Sequence, residues 1–108
     1  MVGKISAVVL SAAGGLTCSP APSIANEEQL RAYGEHLASE CTSCHRIDGK
    51  ETGIPSIVGW DEEQFVSALT AYKRGARQNQ AMISVAKSLE DDQMNALAVY
   101  FGSLEPKN

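Results

Sequence analysis

Two cysteines separated by two residues and followed at once by a histidine, Cys41-Thr42-Ser43-Cys44-His45, constrain this chain more than any other feature of its 108 residues. A chain this short buries a smaller fraction of its surface than a large one and commonly relies on a disulfide, a metal or a cofactor to hold its fold. Of its three cysteines, Cys18 lies in a leader-like start, so two remain for the folded domain. Two thiols three positions apart cannot build a disulfide framework. The staple must be something that this pentapeptide holds.

The leader reading rests on residues 1–25. Met1 to Lys4 carry one positive charge, Ile5 to Leu16 are apolar or small, and a more polar stretch ends in Ser23-Ile24-Ala25, with small residues at the two positions a signal peptidase reads. An apolar run of about a dozen residues is short for a membrane span and suits a secretory leader. Cleavage is expected after Ala25, leaving 26–108 as one periplasmic domain with no stable membrane insertion. A lipid on Cys18 is the minor alternative, because Thr17 stands where a lipobox takes Gly, Ala or Ser. Without Lys4, eight basic residues face 13 acidic ones, a formal charge of −5, and nothing suggests nucleic acid.

Apolar spacing predicts three main helices. The first covers about Glu27 to Ser39, with Leu30, Tyr33, Gly34 and Leu37 on one face, and runs straight into the cysteine motif. The second covers about Glu62 to Arg74, with Asp61 as N-cap and Gly75 just past its end. The third covers about Asp91 to Leu104, where Met94, Leu97, Ala98, Phe101 and Leu104 form a stripe and Glu90 to Asp92 place negative charge at the N-terminus. A shorter turn is expected at Ile83 to Lys87. Residues 46–60 read as an irregular loop, and no stretch alternates as a strand would, so the class is all-α.

Zinc would need four ligands, and beyond the two cysteines the chain offers only His45, which directly follows Cys44, and His36. A redox dithiol would sit at a helix start after a strand, whereas this motif follows a helix. A haem uses every residue: two thiols add across its two vinyl groups as thioethers, and His45 becomes an axial ligand to iron. Downstream, Met94 lies on the apolar stripe and reads as core, whereas Met82 stands in a polar, non-periodic stretch that no packing explains. Met82 is therefore the expected sixth ligand, since methionine opposite histidine raises the potential of electron-transfer haems. His36 reads as a surface residue.

With these residues in place, the chain from Asn26 to Leu104 resembles a class I cytochrome c: a helix leading into CTSCH, a Gly/Pro loop, a middle helix, a methionine loop and a C-terminal helix reading LAVYF. The resemblance implies three main helices around one covalent haem c. It also implies that the first and last helices cross where Gly34 meets Tyr100, with Leu97 alongside, glycine permitting the close approach. Pro55 matches the family proline whose carbonyl accepts the proton of the axial histidine, a bond that orients the ring and strengthens it as a donor. The run IPSIVGW and the pattern F..AL.AYK.G.R.N..M are similar to c4- and c5-type cytochromes and to the haem subunit of flavocytochrome c sulfide dehydrogenase. Gln80 replaces the proline these relatives carry before the methionine, Arg46 their usual glycine after the histidine, and Leu89-Glu90 their Leu-Ser.

Trp60 and Arg77 are the candidates for holding the haem propionates, through an indole N–H and a charge-assisted pair. The expected role is single-electron transfer between Fe(III) and Fe(II) by a carrier that is not itself an enzyme. The alternative is a fixed haem subunit taking electrons from flavin. Redox proteins, a flavoprotein subunit or a terminal oxidase among them, are the expected partners. The acidic balance suits a basic partner, and the cluster Lys73, Arg74 and Arg77 could face an acidic one.

Overall fold

Among the described residues, Phe101, Met94 and Leu97 are the largest fully buried side chains, and the helix that carries them packs against the first helix and the middle one. A computed structural model describes residues 23–106, with side chains from residue 26. The expected leader up to residue 22, Cys18 included, lies outside the described residues. Five helices follow in order: α1 (Ser23–Leu37), α2 (Ser39–Thr42), α3 (Glu62–Lys73), α4 (Gln80–Lys87) and α5 (Asp91–Gly102). Among the described residues there is no strand, and the fold is all-α.

The start of α5 is a capping box. The Glu90 side chain accepts from the Gln93 backbone, and the Gln93 side chain accepts the Glu90 N–H at 2.8 Å. Asp91 and Asp92 in the first turn add the charge that the helix dipole favours there. The buried face then seats Phe101 against Phe65 of α3, with stacked rings 5.7 Å apart, and Trp60 meets Phe65 edge-on at 6.3 Å. Each such apolar side chain contributes about 1.5–3 kcal/mol by leaving water. Met94 belongs to this core at 2% exposure, as its place on the stripe implies.

The α1–α5 crossing is set by one residue. A methyl group on Gly34 would lie 2.1 Å from the Ala96 carbonyl oxygen and 2.7 Å from Tyr100 Cβ. Only glycine lets the two backbones come this close. The crossing therefore pairs the residues that the sequence pairs, and Leu97 is buried beside them.

Asp61 caps α3, its carboxylate accepting the Gln64 N–H at 3.1 Å, and the chain leaves that helix through Gly75 at φ +77°. Three helices have boundaries that differ from expectation. Helix α1 begins at Ser23, ahead of the expected cleavage point, and ends at Leu37, where Ala38 N–H bonds Glu35 O and the chain turns into α2. Helix α5 ends at Gly102. Helix α4 starts at Gln80 rather than Ile83 because the Asn79 side chain caps it, accepting the Met82 N–H at 3.0 Å.

Candidate haem site

The motif Cys41–His45 lies on continuous tight turns. Cys44 N–H bonds Cys41 O at 3.1 Å and His45 N–H bonds the same oxygen at 2.8 Å. The shared acceptor holds all three motif residues on one tight turn. Cys41 is half-buried, Cys44 exposed and His45 buried. Burial, with a smaller contribution from the Glu40 charge, pushes the Cys41 thiol up to about 11. Among the described residues, no group of three His, Cys, Asp or Glu side chains is placed to hold a metal ion.

His45 Nδ1 lies 2.7 Å from the carbonyl oxygen of Pro55. A carbonyl can only accept, so Nδ1 carries the proton and Nε2 keeps its lone pair free for a metal. The intervening loop is shaped by its own side chains. Arg46 donates to both carboxylate oxygens of Asp48, at 3.1 and 2.6 Å, and Asp48 also accepts the Lys50 N–H at 2.9 Å. The Arg46 bonds first, then that of Lys50, hold the Asp48 carboxyl below its ordinary range. The positive φ of Gly49, +81°, permits the tight turn, and Gly49 abuts Pro106.

Beside Cys41 lies a mostly apolar cavity of about 270 Å³, walled by Leu37, Val85, Leu89 and Leu97 and also by Glu40, Ser88 and Gln93. A larger, open hollow of about 480 Å³ is lined by Trp60, Asp61, Glu62, Glu63 and Gly102. Three carboxylates make it hostile to an anionic ligand, and neither motif cysteine reaches it.

One expectation is revised. Met82 is not in a non-periodic loop: it occupies the first turn of α4, half-buried, its backbone fixed by Asn79. The indole N–H of Trp60, expected at a propionate, donates to Ser56 O at 3.0 Å. Arg77 is exposed, its guanidinium 4.7 Å above the Tyr72 ring. That contact engages its face and leaves its N–H groups able to donate. His36 is exposed.

Two residues bear on the site in ways that the sequence reading did not foresee. Asn79 is one, and its signal was the residue type just before a helical pattern. Lys73 is the other: its Nζ leaves α3 to donate to the Leu89 carbonyl beside the apolar cavity, a long-range bond without a sequence signature.

A paired-cysteine site with a histidine poised on its free Nε2, an adjoining apolar cavity and an all-helical frame defines a protein of the covalent-haem class. The chain belongs to the cytochrome c family, whose model, described as Cytochrome c, matches residues 31–105. It is 33% identical over 109 residues to the cytochrome subunit of sulfide dehydrogenase from Chlorobaculum tepidum, covering 100% of this chain and 99% of that protein. It is 35% identical over 72 residues to a thiosulfate dehydrogenase electron acceptor from Thiomonas intermedia, covering 64% of this chain and 33% of the relative's own length. A cytochrome c-553 from Helicobacter pylori is 35% identical over 72 residues, covering 64% of this chain and 75% of that one. The chain is thus a haem c protein of the class I type, and its function is electron transfer.

Proposed function

We propose that this chain is exported, loses residues 1–25, and works in the periplasm as a free one-electron carrier rather than an enzyme. Cys41 and Cys44 would anchor the haem as thioethers, with His45 and Met82 as its axial ligands. When bound, the haem supplies one-electron Fe(III)/Fe(II) exchange, and the chain sets its potential and its access. The observation that carries the reading is the 2.7 Å bond from His45 Nδ1 to Pro55 O, which fixes the tautomer and leaves Nε2 for iron.

Each remaining residue does one physical job. Pro55 holds the imidazole plane and raises its basicity. Asn79 and the first turn of α4 hold Met82, a soft ligand that favours the reduced iron and raises the potential. Leu37, Val85, Leu89 and Leu97 exclude water from the ring they would face. Arg77 is the donor proposed for a propionate.

A second reading has its own observation, the end-to-end similarity to a dehydrogenase's cytochrome subunit. There the chain would be a fixed haem subunit fed by flavin. The two separate on gel filtration of the exported product in its native extract. The carrier reading expects the haem absorbance to elute as an isolated small protein. Co-elution of the haem with a larger yellow protein would overturn it in favour of the subunit. An intact N-terminus at Met1, read by mass spectrometry, would overturn the leader.

A further inference from the structure

Residues 51–55, the stretch that delivers Pro55 to His45, are all exposed. A Cβ on Gly53 would meet nothing within 4 Å, and Ile54 is 39% exposed. Packing therefore does little to hold the Pro55 carbonyl at its 2.7 Å distance from Nδ1. Hydrogen bonds on the next residue do so instead. The Pro55 carbonyl and the Ser56 N–H belong to one planar peptide unit. The Ser56 N–H donates to Glu51 Oε1 at 3.3 Å, so this plane is gripped at both ends. The following peptide is held by Trp60, whose indole N–H donates to Ser56 O at 3.0 Å, and the Ser56 hydroxyl accepts the Val58 N–H at 3.3 Å. Proline already fixes φ on the upstream side of its own carbonyl. With the peptide after Ser56 fixed too, that carbonyl leaves the imidazole only by breaking one of these bonds. Of the two side chains that reach Ser56, Trp60 is the one rooted in the core. Its ring meets Phe65 edge-on, Phe65 stacks on the fully buried Phe101, and the neighbouring Gly59 N–H bonds Phe101 O at 2.9 Å.

We propose that Trp60 is a positioning residue for the axial histidine: through Ser56 it holds the Pro55 carbonyl against His45, with Glu51 as a second hold on the same peptide. The effect runs along the backbone to the Nδ1 proton. The more firmly that proton is held, the more basic the imidazole and the more it favours ferric iron, so the indole keeps the potential down. The role rests on His45 being the axial ligand proposed above.

Trp60→Phe keeps an aromatic ring against Phe65 and removes the donor. Two measurements on the holoprotein read the result: hydrogen–deuterium exchange of the His45 Nδ1 proton in the ferrous state, by NMR of histidine-labelled protein, and the midpoint potential. Exchange should speed up about ten-fold, the factor that loss of one ordinary hydrogen bond gives a local opening, and the potential should rise. Asp61→Ala removes the α3 cap at a similar cost in stability and leaves Ser56 alone, so it should change neither. An indole that donates to a propionate in the holoprotein predicts the opposite sign, because its loss leaves more negative charge near the iron and lowers the potential. A lowered potential with exchange at the native rate would overturn the proposal, as would equal acceleration by Asp61→Ala. Should Trp60→Phe fail to fold, Glu51 carries the test from the exposed loop. Glu51→Ala should speed exchange about three-fold, its bond being longer and open to water, and Glu51→Gln, which keeps an acceptor, should restore the native rate. Unchanged exchange in Glu51→Ala would overturn the proposal. A native ferrous protein whose His45 ring protons lack the upfield shift that a haem gives a bound imidazole would overturn the ligand reading and this role with it. A shifted ring with native-rate exchange in Trp60→Phe would overturn this role alone.

Discussion

Replacing Gly34 with alanine probes the crossing that holds the first and last helices together. The added Cβ would stand 2.1 Å from the Ala96 carbonyl oxygen, and 2.7 Å from Tyr100 Cβ. A carbon rests no closer than ~3.3 Å to such an oxygen, so α1 must back away by about 1.2 Å. The obstacle is backbone on α5, so no side-chain rotation relieves it. A gap of that order forfeits a quarter to a half of each van der Waals contact along the crossing, within a general overpacking cost of about 1–3 kcal/mol. Alanine returns about 1 kcal/mol in helix propensity. A backbone obstacle puts the cost at the upper end of that range, and the net loss of about 2 kcal/mol lowers the midpoint by about 8–16 °C for a domain of this size. Thermal unfolding of the ferric protein, followed by far-ultraviolet circular dichroism, measures it. A fall of less than ~2 °C would refute the claim that close backbone approach sets this interface.

Three further outcomes follow from the same geometry. Asn79→Ala removes the cap over Met82 and Asp61→Ala the equivalent cap of α3, each at a cost of about 1 kcal/mol. Only the Asn79 variant should lose methionine ligation at a lower temperature, read from the red absorption of the ferric protein; equal behaviour would deny Asn79 a positioning role. Lys73→Met keeps the apolar stem and removes the donor to Leu89 O. It should lower the guanidinium midpoint by an amount worth about 1 kcal/mol with an unchanged slope. Asp48 is held below its ordinary range by Arg46 and by the Lys50 N–H. A lowered carboxyl stabilises above its unfolded pKa, and that stability is lost as pH falls through the folded value. Asp48→Asn should therefore flatten the acid limb of the stability curve and leave the alkaline limb alone.

Much of this was legible because local chemistry and tertiary packing agree. Asp61 and Gly75 bound α3 as residue types alone imply, and the α5 stripe is the core face. Gly34 as the crossing residue followed from the family resemblance, and its missing Cβ is what the close approach to Ala96 requires. The histidine bond to Pro55 O followed from the family pattern and stands at 2.7 Å. Met82 looked unstructured because its neighbours are polar, yet one asparagine is enough to start a helix there. The Trp60 N–H, expected at a propionate, bonds the backbone of Ser56, a contact that has no sequence signature.

The central claim is that His45 and Met82 hold one haem iron between them for electron transfer. The most direct measurement is the red end of the ferric absorption spectrum, in the native holoprotein and in Met82→Ala. A methionine sulfur on ferric haem gives a weak band there that a histidine-only or open site lacks. The band should be present in the native protein and absent in Met82→Ala, with the haem still attached through Cys41 and Cys44. A native protein without the band, or a Met82→Ala protein that keeps it, would contradict the account.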